Sequence, residues 1–291
     1  MIDFKEMNIT VVGLGMEGGS YAIALKNYIK PKKLWGIDIN PNIIKAAEYL
    51  NVIDEGFIDP SFPLKNSDIV ILCIYPKQIA AFIEDNNELF KKGSIITDVA
   101  GVKSNIVEKV EKFIRDDINY VPGHPMAGNE YKGFLYADKD IFKNTTYLIL
   151  PREKNSKESI DTVEILAKKI GSSKVYKTDP TTHDEMIAYA SQLIHVIAAS
   201  IVNNDNYSED IDIFSGGSFK SATRVANINS DLWTDAFFEN KENLIKELEH
   251  FKGNIEEFIY ALKNNDEEKI YNLLELSHKK KNEYKNKFNK Y

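Results

Sequence analysis

The chain has 291 residues, of which 43% are hydrophobic and 28% are charged, as in a soluble globular protein long enough for two domains. Its formal net charge of −7 argues against nucleic acid or an anionic membrane as the main partner, because both require a basic surface. The single cysteine, Cys73, suits a reducing compartment, and we expect a cytoplasmic protein with neither a signal peptide nor a membrane-spanning helix.

The first half of the chain alternates β-rich runs with helical patterns. The β-rich runs cover 8–15, 33–39, 67–74, 93–100, 118–124 and 145–151, and helix-like segments cover 19–30, 41–50, 77–90 and 103–116. Strands joined by helical crossovers at this spacing predict an α/β domain with a doubly wound, mostly parallel sheet of Rossmann type. A helix over 156–171 and a strand over 174–177 complete this first domain, which we expect to span 1–177.

The rest of the chain reads as helices, which predicts an all-α domain over 178–291. Residues 182–203 are apolar on nearly every side, so this helix must be buried in a core or against another chain. Three amphipathic helices follow between about residues 231 and 288.

A nucleotide-binding pattern follows the first strand. Gly13, Gly15 and Gly18 form G-x-G-x-x-G, which provides a tight turn and aims a helix N-terminus at a pyrophosphate. Asp38 ends the next strand, where a carboxylate accepts hydrogen bonds from ribose hydroxyls and repels a 2′-phosphate, so NAD is favoured over NADP. We expect Glu17, inside the loop, to point into solvent. The predicted cofactor-binding set is Gly13, Leu14, Gly15, Gly18, Asp38 and Asp98.

His124 lies in the stretch YVPGHPMAGNE, between Gly123 and Pro125. It follows the fifth predicted strand, at the carboxyl edge of the sheet where ligands of open α/β folds bind. A restrained loop of this kind suits an imidazole that acts as a general base near neutral pH. A loop histidine held by a backbone carbonyl is an equal alternative.

Two further candidates lie in the helical half. The chain has 34 lysines and only three arginines, so an arginine at position 224 suggests that a guanidinium is needed there to bind a carboxylate. Arg224 ends the glycine- and hydroxyl-rich stretch SGGSFKSATR, which we expect to form a loop folded over the anion. A structural salt bridge is the alternative. His195 lies mid-helix, one turn after Ser191 and Gln192, and is either a substrate contact or a satisfied core histidine.

Taken together, these motifs resemble the prephenate dehydrogenase family, including its arogenate and cyclohexadienyl relatives. The stretches that carry the resemblance are GLGMEGGS (13–20), TDVAGVK (97–103), GHPMAGNE (123–130), HDEMIAYASQLIH (183–195) and GGSFKSATRVA (216–226). The resemblance implies NAD-dependent oxidative decarboxylation of prephenate to 4-hydroxyphenylpyruvate in tyrosine biosynthesis, without a metal. It also implies a homodimer built through the C-terminal helices, which would bury the apolar helix.

The resemblance implies a role for each candidate residue. His124 resembles the catalytic histidine that accepts the hydrogen bond, and then the proton, of the ring hydroxyl. Arg224 resembles the ligand of a substrate carboxylate, and Trp233 falls at the matching distance beyond it. Glu130 matches a carboxylate beside the pocket mouth. The expected substrate-binding set is Arg224, His195, Glu130, Gly216 and Gly217.

The sequence departs from the family pattern at two positions. Gly101 stands where many relatives carry a serine whose hydroxyl orients the catalytic histidine. Either another donor, a backbone amide or water, orients His124, or its pKa and rate differ from the family norm. Gln192 stands where relatives often have a histidine, which leaves the choice between prephenate and arogenate open. A non-catalytic NAD-binding redox sensor is an alternative, and so is a β-hydroxyacid dehydrogenase that would use Lys220.

Overall fold

The computed structural model describes residues 2–128, 131–204, 207 and 210–288. A six-stranded parallel sheet forms the centre of the first half, in the order β3-β2-β1-β4-β5-β6. Its strands are β1 (Asn8–Val12), β2 (Lys33–Ile37), β3 (Glu55–Phe57), β4 (Ile69–Leu72), β5 (Ile95–Asp98) and β6 (Asn119–Tyr120). The strand order reverses between β1 and β4, which creates the switch point where open α/β sheets bind ligands.

Helices cover both faces of this sheet. They are α1 (Met16–Ala24), α2 (Pro41–Tyr49), α3 (Ser61–Asn66), α4 (Pro76–Asp85), α5 (Ser104–Glu111) and α6 (Lys157–Lys169). All four residues of β4 are buried: Ile69 and Ile71 pack into one core, and Val70 and Leu72 pack into the other. A strand without polar alternation is typical of a sheet buried on both faces, and the predicted Rossmann-type fold is confirmed.

A second, three-stranded sheet carries His124. Its strands are β7 (Gly123–Pro125), β8 (Thr146–Ile149) and β9 (Lys174–Lys177), with β7 antiparallel and β9 parallel to β8. The single strand predicted over 118–124 is therefore wrong. Pro122 has no amide hydrogen to continue the ladder of the large sheet, so the chain leaves it after β6. His124 lies in a short strand, paired with Leu148, and not in a loop.

The apolar helix runs from Pro180 to Val202 as α7 (Pro180–Ile187), a π-helical turn (Ala188–Gln192) and α8 (Leu193–Val202). The chain itself buries only 28% of its apolar window, and Met186, Tyr189 and Ile194 are 57%, 60% and 47% exposed. Of the two expected alternatives, burial in the core of this chain is therefore wrong, and burial against another chain stays a prediction. Within the described part of the chain, this helix is long and apolar enough to cross a membrane, so the expectation that no apolar segment reaches that length is corrected. Core helices of soluble proteins pass the same test of length and composition.

The remaining elements are helical. They are α9 (Ile211–Phe214), α10 (Gly217–Thr223), α11 (Ser230–Glu239), α12 (Lys241–Lys263) and α13 (Glu267–Phe288). The three predicted amphipathic helices are confirmed, whereas the predicted loop over 215–224 is mostly the helix α10. Residue contacts divide the chain into two compact units, Met1–Lys241 and Glu242–Tyr291, and the expected boundary between 177 and 178 stays a prediction.

Candidate functional site

The glycine-rich turn lies between β1 and α1, at the switch point of the sheet. Gly13 has a φ of +84°, a conformation that side chains disfavour, and its amide donates to the Ile37 carbonyl at 2.8 Å. A Cβ on Gly18 would lie 1.8 Å from the Gly13 oxygen, so only glycine allows this approach of α1 to β1. Gly15 is the N-cap of α1, and a Cβ there would meet open space. The positive end of α1 is therefore accessible to a phosphate.

Asp38 directly follows β2 and is held beside this turn. Its Oδ2 accepts a hydrogen bond from the Leu14 amide at 2.8 Å, and its Oδ1 accepts one from the Asn40 amide at 2.8 Å. The amide of Leu14 therefore positions this carboxylate and is not directed at a phosphate. The half-buried carboxylate lies where the ribose of a dinucleotide is bound in folds of this type, so these residues fit the predicted cofactor.

Glu17 lies in the first turn of α1 and is half-buried, so the expectation that it points into solvent is wrong. Burial raises the pKa of its carboxyl to about 8; the positive charge of Lys103 opposes this rise and the negative charge of Asp98 adds to it. The carboxyl is therefore mostly protonated at neutral pH. It brings much less negative charge to the phosphate-binding turn than the sequence alone indicates.

A fully buried ion pair lies at the carboxyl end of β5. Asp98 and Lys103 have no exposed surface, and the Lys103 ammonium donates to Asp98 Oδ1. The Ala100 amide donates to the same oxygen at 2.9 Å, and the Tyr120 hydroxyl donates to Oδ2 at 2.8 Å. Burial lowers the pKa of Lys103, whereas Asp98 raises it. Asp98 thus neutralises a buried cation, and its expected contact with the cofactor stays a prediction.

His124 projects from β7 toward the end of β5. Its Nδ1 lies 2.9 Å from Nε2 of His183, with the two rings 5.1 Å apart and inclined at 67°. A Cβ on Gly101 would lie 3.6 Å from His124 Nε2, so Gly101 stands directly beside the other ring nitrogen. Burial holds the pKa of His124 well below 6.5, and the neighbouring His183 and Lys103 lower it further. The imidazole is therefore neutral at physiological pH, as a general base must be.

His183 and Asp184, at the second turn of α7, were not singled out from the sequence. Both are buried, and His183 Nδ1 donates to Asp184 Oδ1 at 2.7 Å. The amides of Lys103 and Ser104, at the start of α5, donate to the same carboxylate at 2.9 and 2.7 Å. Both residues open the stretch HDEMIAYASQLIH (183–195) that carries part of the family resemblance, but no local pattern in the sequence connects them with His124.

His195 forms a second group with Trp233. Its ring stacks on the indole with centroids 3.6 Å apart and planes at 29°. Its Nδ1 donates to the Ser191 carbonyl at 2.9 Å, which leaves Nε2 as the acceptor nitrogen, and burial lowers the pKa of the ring. His195 is thus half-buried and held by its own helix and by α11, and its expected contact with the substrate stays a prediction.

Gln192, expected to influence substrate choice, is buried in the packing between helices. Its Nε2 donates to the Ala236 carbonyl at 2.9 Å, and its Oε1 accepts from Asn240 Nδ2 at 2.9 Å. The same Asn240 amide group donates to the main-chain carbonyl of Asp184 at 2.9 Å. Gln192 therefore connects the helix that carries His183 with α11.

Arg224 and the glycines ahead of it belong to the helical half. Gly216 is the N-cap of α10 and Gly217 is its first residue; both are exposed, and a Cβ on either would meet open space. Arg224 is exposed and begins a 3-10 turn (Arg224–Ala226) that packs against α8, the helix of His195. Glu130 lies outside the described residues. The roles expected for these residues stay predictions.

The fold and the site define the class of protein: a dinucleotide-binding enzyme of Rossmann type with a neutral histidine beside the segment that follows β5. Residues 21–176 match the family model described as prephenate dehydrogenase, nucleotide-binding domain, and residues 179–276 match that of the prephenate dehydrogenase dimerization domain. The chain belongs to the prephenate dehydrogenase family, as the sequence motifs predicted.

Individual relatives agree with this assignment. The chain is 28% identical to the prephenate dehydrogenase of Bacillus subtilis over 271 residues, which cover 90% of this chain and 72% of that protein. The crystal structure of prephenate dehydrogenase from A. aeolicus in complex with hydroxyphenyl propionate and NAD+ matches with a TM-score of 0.84 and 28% identity, covering 95% of this chain and 98% of that one. Synechocystis arogenate dehydrogenase matches with a TM-score of 0.78 and 25% identity, covering 96% and 100%.

Proposed function

We propose that this protein catalyses the NAD-dependent oxidative decarboxylation of prephenate to 4-hydroxyphenylpyruvate, CO2 and NADH, a step of tyrosine biosynthesis. The observation that carries the proposal is the placement of His124. Its ring is neutral, its Nδ1 faces His183, and its Nε2 faces the position of Gly101, where the absence of a side chain leaves room for a substrate hydroxyl.

Different residues of the chain would bind the cofactor and accept the proton. Gly13, Gly15 and Gly18, with Asp38, would hold NAD, which accepts a hydride when bound. His124 Nε2 accepts the proton of the ring hydroxyl, and the electron pair of that O–H bond forms the C=O bond as the C–H electron pair leaves with the hydride. The electron pair of the bond to the ring carboxylate then enters the ring as CO2 leaves, and the oxygen takes the proton back to become the phenol hydroxyl. Aromatisation of the ring makes the step downhill.

The helical half would hold the substrate. Arg224 would pair with a carboxylate through two parallel hydrogen bonds, and Gly216 and Gly217 would let the chain approach that anion closely. His195, stacked on Trp233, would present Nε2 to the substrate. Glu130 would lie near the pocket mouth, as the family resemblance implies.

We also propose that the protein is a homodimer. The exposed apolar side chains of the helix Pro180–Val202 require a partner in water, and a second copy of the helix would bury Met186, Tyr189 and Ile194. The match of residues 179–276 to a dimerization domain supports this partner. We place the protein in the cytoplasm, where its free Cys73 stays reduced.

The decisive experiment measures NADH formation by the purified protein with NAD and either prephenate or arogenate. We expect turnover with prephenate; turnover with arogenate alone would establish the sister activity, which the similarity to the Synechocystis enzyme makes the second candidate. His124→Asn should bind NAD normally and lose roughly 10²–10⁴ in turnover. Retained turnover in that variant would exclude His124 as the base, and NAD binding without turnover on either acid would favour a redox sensor.

A further inference from the structure

We propose that His183 and Asp184 act as a positioning relay for His124, which fixes the tautomer of the catalytic imidazole and keeps its Nε2 free to accept a proton. The relay is a chain of two hydrogen bonds that runs from Asp184 Oδ1 through the ring of His183 to His124 Nδ1. The inference rests on the proposed role of His124 and adds a residue that orients it.

The direction of the hydrogen bonds follows from what each atom can do. The carboxylate of Asp184 only accepts, so His183 Nδ1 must carry a hydrogen toward it. The relay has His183 carry only this one hydrogen, so its Nε2 keeps a lone pair and His124 Nδ1 is the donor across the 2.9 Å contact; a second hydrogen, on His183 Nε2, would reverse that bond. His124 Nε2 is left as the unprotonated nitrogen, which is the form that a base requires.

Hydrogen bonds from other elements of the fold hold Asp184, the last residue of the relay, in place. Two main-chain amides at the start of α5, those of Lys103 and Ser104, hold the carboxylate of Asp184 from one side. The side chain of Asn240 holds the main-chain carbonyl of Asp184 from another. Because Asp184 and His183 are only 1% and 2% exposed, water does not compete for these bonds. The ring of His183 therefore has a defined orientation to impose on His124.

The relay also accounts for Gly101. A hydroxyl at position 101 would approach His124 from the side of Nε2, since a Cβ there would lie 3.6 Å from that nitrogen. This chain has no such hydroxyl, and its histidine is held from the opposite side, through Nδ1. When Nε2 takes up a proton, the relay that ends on the carboxylate of Asp184 stabilises the resulting imidazolium, as the buried carboxylate does in a catalytic triad.

A pair of substitutions separates positioning from packing. His183→Leu fills the site without an acceptor, whereas the amide oxygen of His183→Gln can accept from His124 Nδ1 in place of the imidazole nitrogen. We expect His183→Leu to lose roughly 100-fold in kcat with KM for the acid and Kd for NAD nearly unchanged, and His183→Gln to recover at least about tenfold of that loss. Equal losses in both variants, or a loss confined to KM, would overturn the relay.

The tautomer itself is measurable without turnover. The chain has five histidines, so NMR of protein labelled in the ring nitrogens, with His124→Asn to assign the signal, reports which nitrogen of His124 carries hydrogen. We expect hydrogen on Nδ1 at neutral pH in the parent protein and a mixture in His183→Leu. Hydrogen on Nε2 in the parent would overturn the relay even if the enzyme is active. The expected tautomer in a protein that oxidises neither acid would instead refute only the proposed function.

Discussion

Two glycines three residues apart in the nucleotide-binding turn should respond to the same methyl group in opposite ways. Gly18→Ala introduces a contact with the backbone, whereas Gly15→Ala introduces a methyl into open space at the N-terminus of α1. We expect the first change to lower the stability of the protein and the second to weaken NAD binding while the fold stays intact.

The magnitudes follow from the geometry. A Cβ at Gly18 would lie 1.8 Å from the Gly13 oxygen, where real contacts stay beyond 3.0 Å, so strand and helix must separate on the order of 1 Å. Such overpacking costs about 1–3 kcal/mol or more, and each kcal/mol lowers Tm by about 2–4 °C. Gly15 has φ −67° and ψ −158°, which alanine adopts, so the loss there is roughly 0.5–1 kcal/mol for an alanine N-cap.

The assay combines thermal unfolding with calorimetric titration of NAD. Gly15→Ala displaces a phosphate from a charged hydrogen bond worth about 1.5–3 kcal/mol, so its Kd for NAD should rise roughly 10- to 100-fold. Gly253→Ala is the control, since it adds a methyl in open space within α12 and should raise Tm slightly without changing Kd. An unchanged Kd in Gly15→Ala would refute phosphate binding at this turn, and an unchanged Tm in Gly18→Ala would refute the close packing.

Three further outcomes are expected. Because folding raises the pKa of Glu17 from 4.5 to about 8, the folded state holds a proton that the unfolded state releases, and the stability of the protein falls between these pH values. The stability advantage of Glu17→Gln should therefore grow between about pH 5 and pH 8, by at most about 1.4 kcal/mol per pH unit, and its Tm advantage should grow with it. A difference in Tm that stays constant with pH would contradict the burial of Glu17. Arg224→Ala should raise KM for the acid roughly 30-fold or more at constant Kd for NAD, and Arg224→Lys should restore part of the loss; an unchanged KM would exclude the carboxylate contact. Tyr189→Glu should convert a dimer into a monomer in analytical ultracentrifugation, while Tyr176→Glu, equally exposed on β9, should not; a dimer that survives the first change would place the interface elsewhere.

The sequence predicts those parts of the fold whose signals are local and long. The buried run of β4 and the helical crossovers around it follow from apolar patterning alone. The strand β3 and the helix α3 have three and six residues, too few for a periodic pattern to stand out. The segment of α10 predicts a loop because its glycines and hydroxyls favour turns, although it forms a helix that packs against α8.

The candidate site divides in the same way. The glycine turn and Asp38 lie within one β-α-β unit, so their spacing in the sequence reports their spacing in the fold. The contact between His124 and His183 joins residues 59 positions apart, and the Lys103 amide that holds Asp184 comes from a third element. No pattern in a single sequence encodes such a meeting, because it depends on how the elements pack in three dimensions.

In the proposed relay, the base of the reaction and the residues that orient it come from different halves of the chain. His124 belongs to the small sheet of the nucleotide-binding half, whereas His183 and Asp184 belong to the first turns of the helix that follows residue 178. A nucleotide-binding domain that ended at residue 177 would keep the glycine turn and Asp38, and so its dinucleotide site, but His124 Nδ1 would have lost its partner. If both proposals hold, the helical half orients the base as well as holding the substrate.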